Sequence, residues 1–428
     1  MKAKKTLEIN VLKAAEQRVK ETFDDFEKVY ISFSAGKDSS VLFHLVMAEA
    51  KKRNRKVGVL FIDLEAQYQL TISHAEEMFK LYEDYIELYW ICLPIKLRNA
   101  VSNYEPVWCA WEQNRESDWV RTLPKHKGVI SDPEFFDFFQ PWMEFEEFIT
   151  LFAEWYAKNE RTAAFIGIRA DESLNRFRTI AVWDKEMYEG RRYTTRVTKD
   201  SFNIYPIYDW HVTDIWKYHA KHPELPHNKV YDRMYQAGLS LSQMRLCQPY
   251  GDDQRRGLWL FHIIEPQTWS KIIARVNGVN SGALYINETG NINGYNKISL
   301  PSGHTWKSYT NLLLASMPSV TREHYKKRFE SWLIGWHKRG YRNGIPDEAP
   351  RELEKKYWAP SWRRLAKVLL RNDWWCKGLG MTQPRSEAYA QYLEFKKNKK
   401  QKNESEKLAK DYEEAEVLDL PIFANIFS

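Results

Sequence analysis

The stretch that most constrains the fold is residues 29–47, which predicts a buried strand, a tight polar turn and a helix, in that order. Small residues in the turn let a ligand approach the backbone, and the N–H groups at the start of the helix point towards it. The stretch therefore predicts an anion site, most simply for phosphate. The turn combines small residues, hydroxyls, a lysine and a carboxylate: Ser34, Ala35, Gly36, Lys37, Asp38, Ser39 and Ser40.

This turn differs from a P-loop. A P-loop needs a glycine five positions before Gly36, where the chain has Ile31, and a serine or threonine after Lys37, where it has Asp38. The turn instead resembles the Ser-Gly-Gly-Lys-Asp-Ser loop of the PP-loop ATP pyrophosphatase superfamily and, within it, of the 3'-phosphoadenylylsulfate (PAPS) reductase family. Only Ala35 departs from that loop, and a positive φ there would be strained. An ordinary strand-to-helix turn with a capping serine is the alternative.

A second buried strand is predicted over residues 57–63. A strand–helix–strand unit of this length implies parallel pairing with a right-handed crossover. Ligands of such sheets gather at the carboxyl ends of the strands, so Asp63 and Glu65 are expected near the loop. In PAPS reductase relatives an aspartate ends this strand beside the adenosine, and the resemblance implies the same role for Asp63. Residues 65–68 depart from the Thr-Gly-Tyr pattern of typical reductases.

Another motif follows the strand predicted near residues 162–168 and resembles the second signature of PAPS reductases and ATP sulfurylase small subunits. Arginine suits phosphate or sulfate because its planar guanidinium makes paired hydrogen bonds. The other interpretation is a helix in which Glu172 and Arg176 form an i,i+4 surface pair, and both can hold. The motif consists of Gly167, Ile168, Arg169, Glu172, Ser173 and Arg176.

The longest match covers residues 205–232, which are similar to the family's Pro-Ile-x-Asp-Trp, Asp-x-Trp and Leu-Pro-x-Asn-x-x-Tyr-Asp series. We interpret most of these residues as scaffold. Thr213 is expected to cap the helix containing Trp216, and Asp209 to brace the chain that enters it. The resemblance spans roughly the first 260 residues.

Four widely separated cysteines argue against a disulfide scaffold, a zinc ribbon and a redox dithiol: Cys92, Cys109, Cys247 and Cys376. The resemblance would imply a Glu-Cys-Gly nucleophile or paired cysteines for an iron–sulfur cluster, and neither motif is present. A single cysteine cannot ligate a four-iron cluster. We therefore expect no iron–sulfur cluster, no zinc and no ordinary PAPS reduction, and interpret Cys247 as a small buried residue.

Two further segments leave alternatives open. Residues 104–142, rich in aromatic and charged residues, are either a lid or, as we prefer, a packed surface loop. Residues 321–400 hold 20 Lys and Arg against 9 Asp and Glu, so this segment carries a net charge of +11. The whole chain carries +7, so the remaining residues together carry −4. The tryptophans of this segment at helical spacing, Trp332 with Trp336 and Trp358 with Trp362, are either core, the preferred interpretation, or a surface on which nucleic-acid bases stack.

A PAPS-reductase-like half followed by a basic, tryptophan-rich half resembles the immunoglobulin-binding-regulator A (IbrA) proteins of bacteria. Those are described as phage- or prophage-associated regulators that accompany a ParB/sulfiredoxin-like partner. The resemblance implies a regulatory or defence role and such a partner. Without an apolar run of membrane-spanning length or an apolar signal region, a cytoplasmic protein with no membrane contact is expected.

These patterns predict a doubly wound parallel α/β sheet of the adenine nucleotide α-hydrolase type in residues 1–260 and an α-rich, basic domain with a charged tail in residues 261–428. The expected ligand is ATP, with Mg²⁺ placed by Asp38, or PAPS without metal. Lys37 would offset developing charge, and Arg169 and Arg176 would face the acceptor or sulfate end. Lys37, Asp38 and Arg169 are the expected catalytic residues. The expected nucleotide contacts are Ser32, Ser34, Ala35, Gly36, Lys37, Asp38, Ser39, Ser40, Ile62, Asp63, Gly167, Arg169, Glu172 and Arg176.

Three functions are compatible with these predictions. The first is an enzyme acting at the phosphate or sulfate end of an adenine nucleotide, by adenylyl, pyrophosphatase or sulfo-transfer chemistry. The second is a nucleic-acid-binding regulator, using residues 321–400, whose nucleotide site is a sensor. The third is a tRNA sulfur-transfer enzyme, which would need a reactive cysteine.

Overall fold

The computed structural model describes residues 8–102, 105–181, 185–251, 258–276, 279 and 298–381. The strands are β1 (Lys28–Phe33), β2 (Val57–Ile62), β3 (Ile86–Ile91), β4 (Lys96–Arg98), β5 (Val107–Cys109), β6 (Val129–Ile130), β7 (Thr162–Ile166), β8 (Thr194–Arg196) and β9 (Ser201–Ile204). The helices are α1 (Val11–Asp25), α2 (Lys37–Lys52), α3 (Gln69–Leu81), α4 (Phe145–Ala157), α5 (Leu174–Ala181), α6 (Val212–Lys221), α7 (Val230–Gln236), α8 (Leu258–Ile264), α9 (Pro266–Arg275), α10 (Trp306–Ser316), α11 (Ser319–Lys338), α12 (Arg351–Lys355) and α13 (Trp362–Leu370).

Seven strands form one sheet in the order β6-β3-β2-β1-β7-β9-β8, and β4 pairs with β5 separately. Neighbouring strands of the large sheet are parallel except β8, which runs antiparallel to β9. The strand order reverses beside β1, so the loops that follow β1 and β7 meet at the switch point where open α/β sheets bind ligands. The predicted parallel α/β sheet is confirmed.

The central strands are buried along almost their whole length because helices flank the sheet. Arg18 of α1 forms a bidentate pair with Asp209, at 2.8 and 2.7 Å, so Asp209 braces the chain before α6 as predicted. Thr213 does not cap α6. The N–H of His211 donates instead to the Asp214 carboxylate at 2.8 Å, because α6 begins two residues earlier than the prediction requires.

The segment predicted as a lid or a packed loop is packed, as preferred. Trp108 and Trp111 are buried in the main core, and the Arg121 side chain is buried beneath the end of β2. Residues 103–104 lie outside the described part of the chain.

A second hydrophobic cluster joins α11, α13 and residues 374–379. Trp332 and Trp336 are buried in it with ring centroids 5.9 Å apart, so the predicted shared helix face is core. The predicted pairing of Trp358 with Trp362 is wrong, because Pro360 lies between α12 and α13 and interrupts the helix. Trp358 is exposed instead.

The described residues belong to one compact unit. The division at residue 260 stays a prediction, and its charged tail, from residue 382 onwards, lies outside the described residues. Among the helices that the structure describes, none combines the length and apolarity needed to cross a bilayer.

Candidate functional site

The loop after β1 places an alanine where the related loop has glycine. Ala35 has a φ of +54° and is fully buried, and its carbonyl accepts a hydrogen bond from the Asn228 side chain at 2.9 Å. This left-handed conformation costs an alanine about 1–2 kcal/mol relative to glycine. The strain anticipated from the sequence is therefore present. Asn228, which belongs to the match over residues 205–232, helps to hold Ala35 in this conformation.

Lys37 begins α2, and its side chain is buried. The ammonium donates to the Met244 carbonyl at 3.0 Å and lies 3.3 Å from the Asp38 carboxylate. The Lys37 backbone N–H donates to the Tyr231 hydroxyl at 3.1 Å. Residues 244–248 therefore cover the loop, and an anion that reached the lysine would replace the Met244 carbonyl.

Asp38 and Arg169, predicted from separate motifs, are in direct contact. The Arg169 guanidinium is buried and lies between the carboxylates of Asp38 and Asp171. Asp38 therefore contacts two cations, Arg169 and Lys37, on its two oxygens. The three predicted catalytic residues thus form one charged cluster at the switch point.

Gly167, which follows β7, permits the close approach that this cluster requires. A Cβ at this position would lie 2.9 Å from the Ser39 Cα and 3.0 Å from its N. The remaining members of that motif lie differently: the Arg176 side chain is half exposed and pairs with Glu172 at 3.9 Å. The predicted surface pair of Glu172 and Arg176 is thus confirmed, although Glu172 precedes α5 and does not belong to the helix. The nucleotide contact of Glu172 and the place of Arg176 at the acceptor end stay predictions.

The hydroxyl groups of the loop bond mainly to the loop itself. The Ser34 and Ser39 oxygens are 3.0 Å apart, and Ser39 and Ser40 donate to the Gly36 carbonyl at 3.0 and 2.9 Å. Ser40 also contacts Nε2 of His74 at 2.8 Å. These bonds hold the loop in shape and leave Ser34 beside the cavity described next.

A cavity of about 160 Å³ lies at the carboxyl ends of β1 and β2. Two residues that line this cavity, Gln67 and Tyr68, each carry a buried polar atom, Oε1 and the hydroxyl oxygen, that has no hydrogen-bond partner among the described residues. Unpartnered buried polar atoms are costly, so they commonly mark the place of a ligand or water. The residues lining the cavity include Ser32, Ser34, Ile62, Gln67, Tyr68, Thr71, Leu246, Cys247 and Gln248.

Sequence reasoning did not select Gln67 or Tyr68. The only signal was that residues 65–68 depart from the reductase pattern. Three predicted contact residues, Ser32, Ser34 and Ile62, do line the cavity.

Asp63, predicted to contact adenosine, accepts hydrogen bonds from donors of the protein itself. Its carboxylate accepts from Trp90 Nε1 at 3.0 Å, the Glu65 N–H at 2.9 Å and the Arg121 guanidinium at 2.5 Å. The residue is fully buried. A direct contact between Asp63 and a nucleotide therefore stays a prediction, whereas its bracing of the cavity wall is observed.

Glu65 forms a buried ion pair with a distant part of the chain. The Arg275 guanidinium of α9 lies 2.8 and 3.2 Å from its two oxygens, which also accept from the Trp111 and Val120 N–H groups at 2.8 and 3.0 Å. The exposed fractions of the two charged side chains are 0% and 1%. Through these contacts Glu65 links α9 and the 105–142 segment to the end of β2.

A magnesium ion would find few protein ligands here. In the described part of the chain, no three His, Cys, Asp or Glu side chains are grouped as a metal site. Asp38, already paired with two cations, suits Mg²⁺ only as one ligand beside phosphate oxygens, which is how this ion is commonly held next to nucleotides. The donor set therefore fits a nucleotide-bound magnesium rather than a metal held by the protein alone.

Three histidines in α2 or in contact with its first turn have a lowered pKa. Burial lowers the pKa of His44 and His219 to about 4 and that of His74 to about 3. His74 contacts Ser40, and His219 lies 3.4 Å from the Lys37 carbonyl. All three are therefore neutral in the folded protein at pH 7.

We expect the free energy of unfolding to fall as the pH drops below about 6.5, the ordinary histidine pKa. In that range the unfolded chain takes up protons that the folded protein does not, so each of the three histidines contributes a loss of about 1.4 kcal/mol per pH unit down to about pH 4. Urea unfolding between pH 7 and pH 5 measures the slope. His74→Gln should reduce the slope by the contribution of one histidine, about 1.4 kcal/mol per pH unit. A slope equal to that of the unaltered protein would contradict this assignment.

The four cysteines differ in accessibility. Burial raises the pKa of Cys109 and Cys376 to about 12 and that of Cys92 further. Cys247 is partly exposed and lines the cavity, so its interpretation as a small buried residue is wrong. The covering segment, residues 244–248, places Cys247 in the wall of this cavity, which no local sequence pattern indicated.

Comparisons with known proteins agree with this description. A family model described as the phosphoadenosine phosphosulfate reductase domain matches residues 28–237, and one described as a domain of unknown function (DUF3440) matches residues 238–359. The uncharacterized protein YbdN of Escherichia coli (strain K12) is 43% identical over 398 residues, which cover 92% of this chain and 96% of that protein.

Two solved structures are distantly similar. PAPS reductase from Candida auris, in a phosphate complex, has 14% identity and a TM-score of 0.29, covering 54% of this chain and 93% of its own. The U34-tRNA thiolase NcsA from Methanococcus maripaludis, with its [4Fe-4S] cluster, has 10% identity and a TM-score of 0.30, covering 66% and 80%. The predicted PAPS-reductase-like domain is nevertheless confirmed by the family model. The chain belongs to the same family as Escherichia coli YbdN and carries a PAPS-reductase-like domain in its first half.

Proposed function

We propose that the chain binds an adenine nucleotide, ATP or PAPS, in the cavity beside the loop and acts at its phosphate or sulfate end. The observation that carries this proposal is that two residues lining the cavity, Gln67 and Tyr68, have buried polar atoms without hydrogen-bond partners, Oε1 and the hydroxyl oxygen. The amide oxygen accepts and the hydroxyl donates, which matches the exocyclic amine and a ring nitrogen of adenine. Binding adenine would give both atoms the partners they lack.

The charged cluster would receive the anionic end of the nucleotide. Lys37 would exchange the Met244 carbonyl for a phosphate oxygen and offset charge that develops in the reaction. Arg169 would hold Asp38 in place and face the acceptor or sulfate end. With ATP, Asp38 would be a magnesium ligand; with PAPS, the same cluster would need no metal.

The wider setting of this activity follows from the resemblance to IbrA proteins. We propose a cytoplasmic protein with a phage- or prophage-linked regulatory or defence role, accompanied by a ParB/sulfiredoxin-like partner. A pull-down of this protein from cells that also contain such a partner tests whether the two proteins associate.

Calorimetric titration with ATP and with PAPS, each with and without Mg²⁺, tests the nucleotide site. Lys37→Met keeps the buried stem and removes the charge, so affinity is expected to fall about ten-fold or more. Magnesium-dependent ATP binding would support adenylyl or pyrophosphatase chemistry, and metal-independent PAPS binding would support sulfo-transfer. Binding of neither nucleotide by the unaltered protein would refute the proposal.

Tyr68→Phe should separate binding from stability. The variant removes one buried hydroxyl that has no partner in the free protein, so the free energy of unfolding should stay equal or rise, while nucleotide affinity should fall about five- to ten-fold.

Tyr250→Phe is the matched control for that variant, because the equally buried Tyr250 hydroxyl donates to the Ile272 carbonyl at 2.9 Å. It should cost about 1 kcal/mol of stability and leave affinity unchanged. Normal nucleotide affinity in the Tyr68→Phe variant would show that the adenine base does not bind at Tyr68.

The rate at which Cys247 is alkylated should report whether nucleotide occupies the cavity. Iodoacetamide should modify Cys247 faster than the three buried cysteines, and saturating nucleotide should slow that reaction because the thiol lines the cavity. Peptide mass spectrometry measures the rate at each cysteine. Modification of Cys247 that nucleotide leaves unchanged would separate the thiol from the binding site. Cys247→Ser with full activity would also argue against tRNA sulfur transfer.

A second candidate function is a nucleic-acid-binding regulator in which the loop only senses nucleotide. It is favoured by the exposed cations around the end of α11, which include Lys338, Arg339 and Arg342. Nucleic-acid binding that persists without nucleotide and weakens with salt would support it.

A further inference from the structure

A groove of about 730 Å³ lies far along the chain from the loop. Its walls are the start of α10, the end of α11, residues 341–347 and the Trp362 side chain. It falls mostly within the part of the chain matched by the domain of unknown function. None of the residues that form the nucleotide cavity lines it.

The groove is positively charged. Lys307, Lys338 and Arg342 line it, are exposed, and form no ion pair with any carboxylate in the described part of the chain. Exposed His337 lies beside them. The lining includes one carboxylate, Asp347, against these three cations, so the groove keeps an excess of positive charge.

Asp347 also fixes one wall. Its two oxygens accept the N–H groups of Trp306 and Lys307, at 2.9 and 2.8 Å, at the start of α10. The adjacent Pro346 carbonyl accepts the Trp362 N–H at 3.0 Å. The wall is therefore held by hydrogen bonds before any ligand arrives, which lowers the ordering cost of binding.

Aromatic side chains complete the groove. Trp362 and Tyr341 are partly exposed, and the Lys307 ammonium lies 5.6 Å from the Trp362 ring centroid. Cations beside partly exposed rings are the combination that binds single strands, because phosphates meet the cations and unpaired bases stack on the rings. A duplex keeps its bases stacked internally and would use the cations alone.

We propose that this groove binds single-stranded nucleic acid. The three cations contact successive phosphates and the rings of Tyr341 and Trp362 receive a base. An acidic peptide would use the same charge but would gain nothing from the rings. Binding at this groove needs no occupant in the nucleotide cavity. The proposal rests on the second candidate function and gives it a surface and a class of ligand.

Fluorescence anisotropy of the full chain with a labelled oligothymidylate of about 20 nucleotides tests the proposal. The double variant Lys338→Glu with Arg342→Glu should bind about ten-fold or more weakly, and the slope of log affinity against log salt should fall by about 2. The control, Lys80→Glu with Lys127→Glu, makes the same charge change at exposed positions elsewhere and should bind as the unaltered protein does. Equal melting temperatures of the two double variants would establish that both are folded.

Four outcomes would overturn the proposal. They are no binding by the unaltered protein, equal weakening in both double variants, tighter binding of the duplex than of the single strand, and displacement of the oligonucleotide by polyglutamate as effectively as by unlabelled oligothymidylate. The last result would assign the groove to an acidic partner.

Discussion

Glu65→Ala is expected to lower the free energy of unfolding by about 3–5 kcal/mol. The substitution leaves the Arg275 guanidinium charged at 1% exposure without its carboxylate, and it also removes the acceptor of the Trp111 and Val120 N–H groups. An uncompensated buried charge costs more than the loss of the attraction itself. Guanidinium unfolding followed by tryptophan fluorescence measures the change.

Glu352→Ala is the matched control for Glu65→Ala. Glu352 pairs with Lys355 at 2.8 Å, but the two side chains are 74% and 70% exposed, so this variant should change stability by less than about 0.5 kcal/mol. The double variant Glu65→Leu with Arg275→Met should recover much of the loss, because replacing both charges with apolar groups leaves none unpaired. A Glu65→Ala protein as stable as the Glu352→Ala protein would contradict the role assigned to the buried pair.

Gly167→Ala is expected to cost about 1–3 kcal/mol of stability and to weaken nucleotide binding. The new methyl would meet the Ser39 backbone at 2.9 and 3.0 Å, and backbone atoms at the start of a helix cannot rotate aside. The start of α2 would have to move away from β7, carrying Lys37 and Asp38 with it. Thermal unfolding and calorimetric titration measure the two effects.

Gly335→Ala provides the comparison for that substitution. Gly335 lies within α11, where an added Cβ meets nothing within 4 Å, so alanine should raise stability by up to about 1 kcal/mol through helix propensity. The two glycines should thus respond with opposite signs. Stability gains in both variants would show that α2 and β7 tolerate more separation than the structure indicates.

The parts of the site that lie close together in the sequence were predictable. The strand, loop and helix of residues 29–47 are local, and apolar periodicity with small loop residues determines their structure. The parallel pairing of β1 with β2 follows from the short crossover between them. That Asp38 and Arg169 belong to one site followed from the family resemblance and the rule that strand ends meet at one edge, whereas their direct contact was not predicted.

Contacts between distant segments left no local signal. Nothing near Glu65 indicates that Arg275 is its partner, and the cover of the loop by residues 244–248 depends on the path of the chain after α7. The missing hydrogen-bond partners of Gln67 and Tyr68 depend on the whole cavity wall. Asp63 illustrates the same limit: its place at the end of β2 was predictable, but the donors that occupy it come from β3 and the 105–142 segment.

The distance in sequence between Glu65 and Arg275 has a consequence for folding during synthesis. The carboxylate belongs to a loop of the first half of the sheet, yet its partner leaves the ribosome about 210 residues later. Until then the end of β2 either stays hydrated and open or buries an unpaired charge. Completion of this edge of the sheet should therefore be a late event, and a nascent chain that stops before α9 should be readily cleaved by protease at the loop after β2.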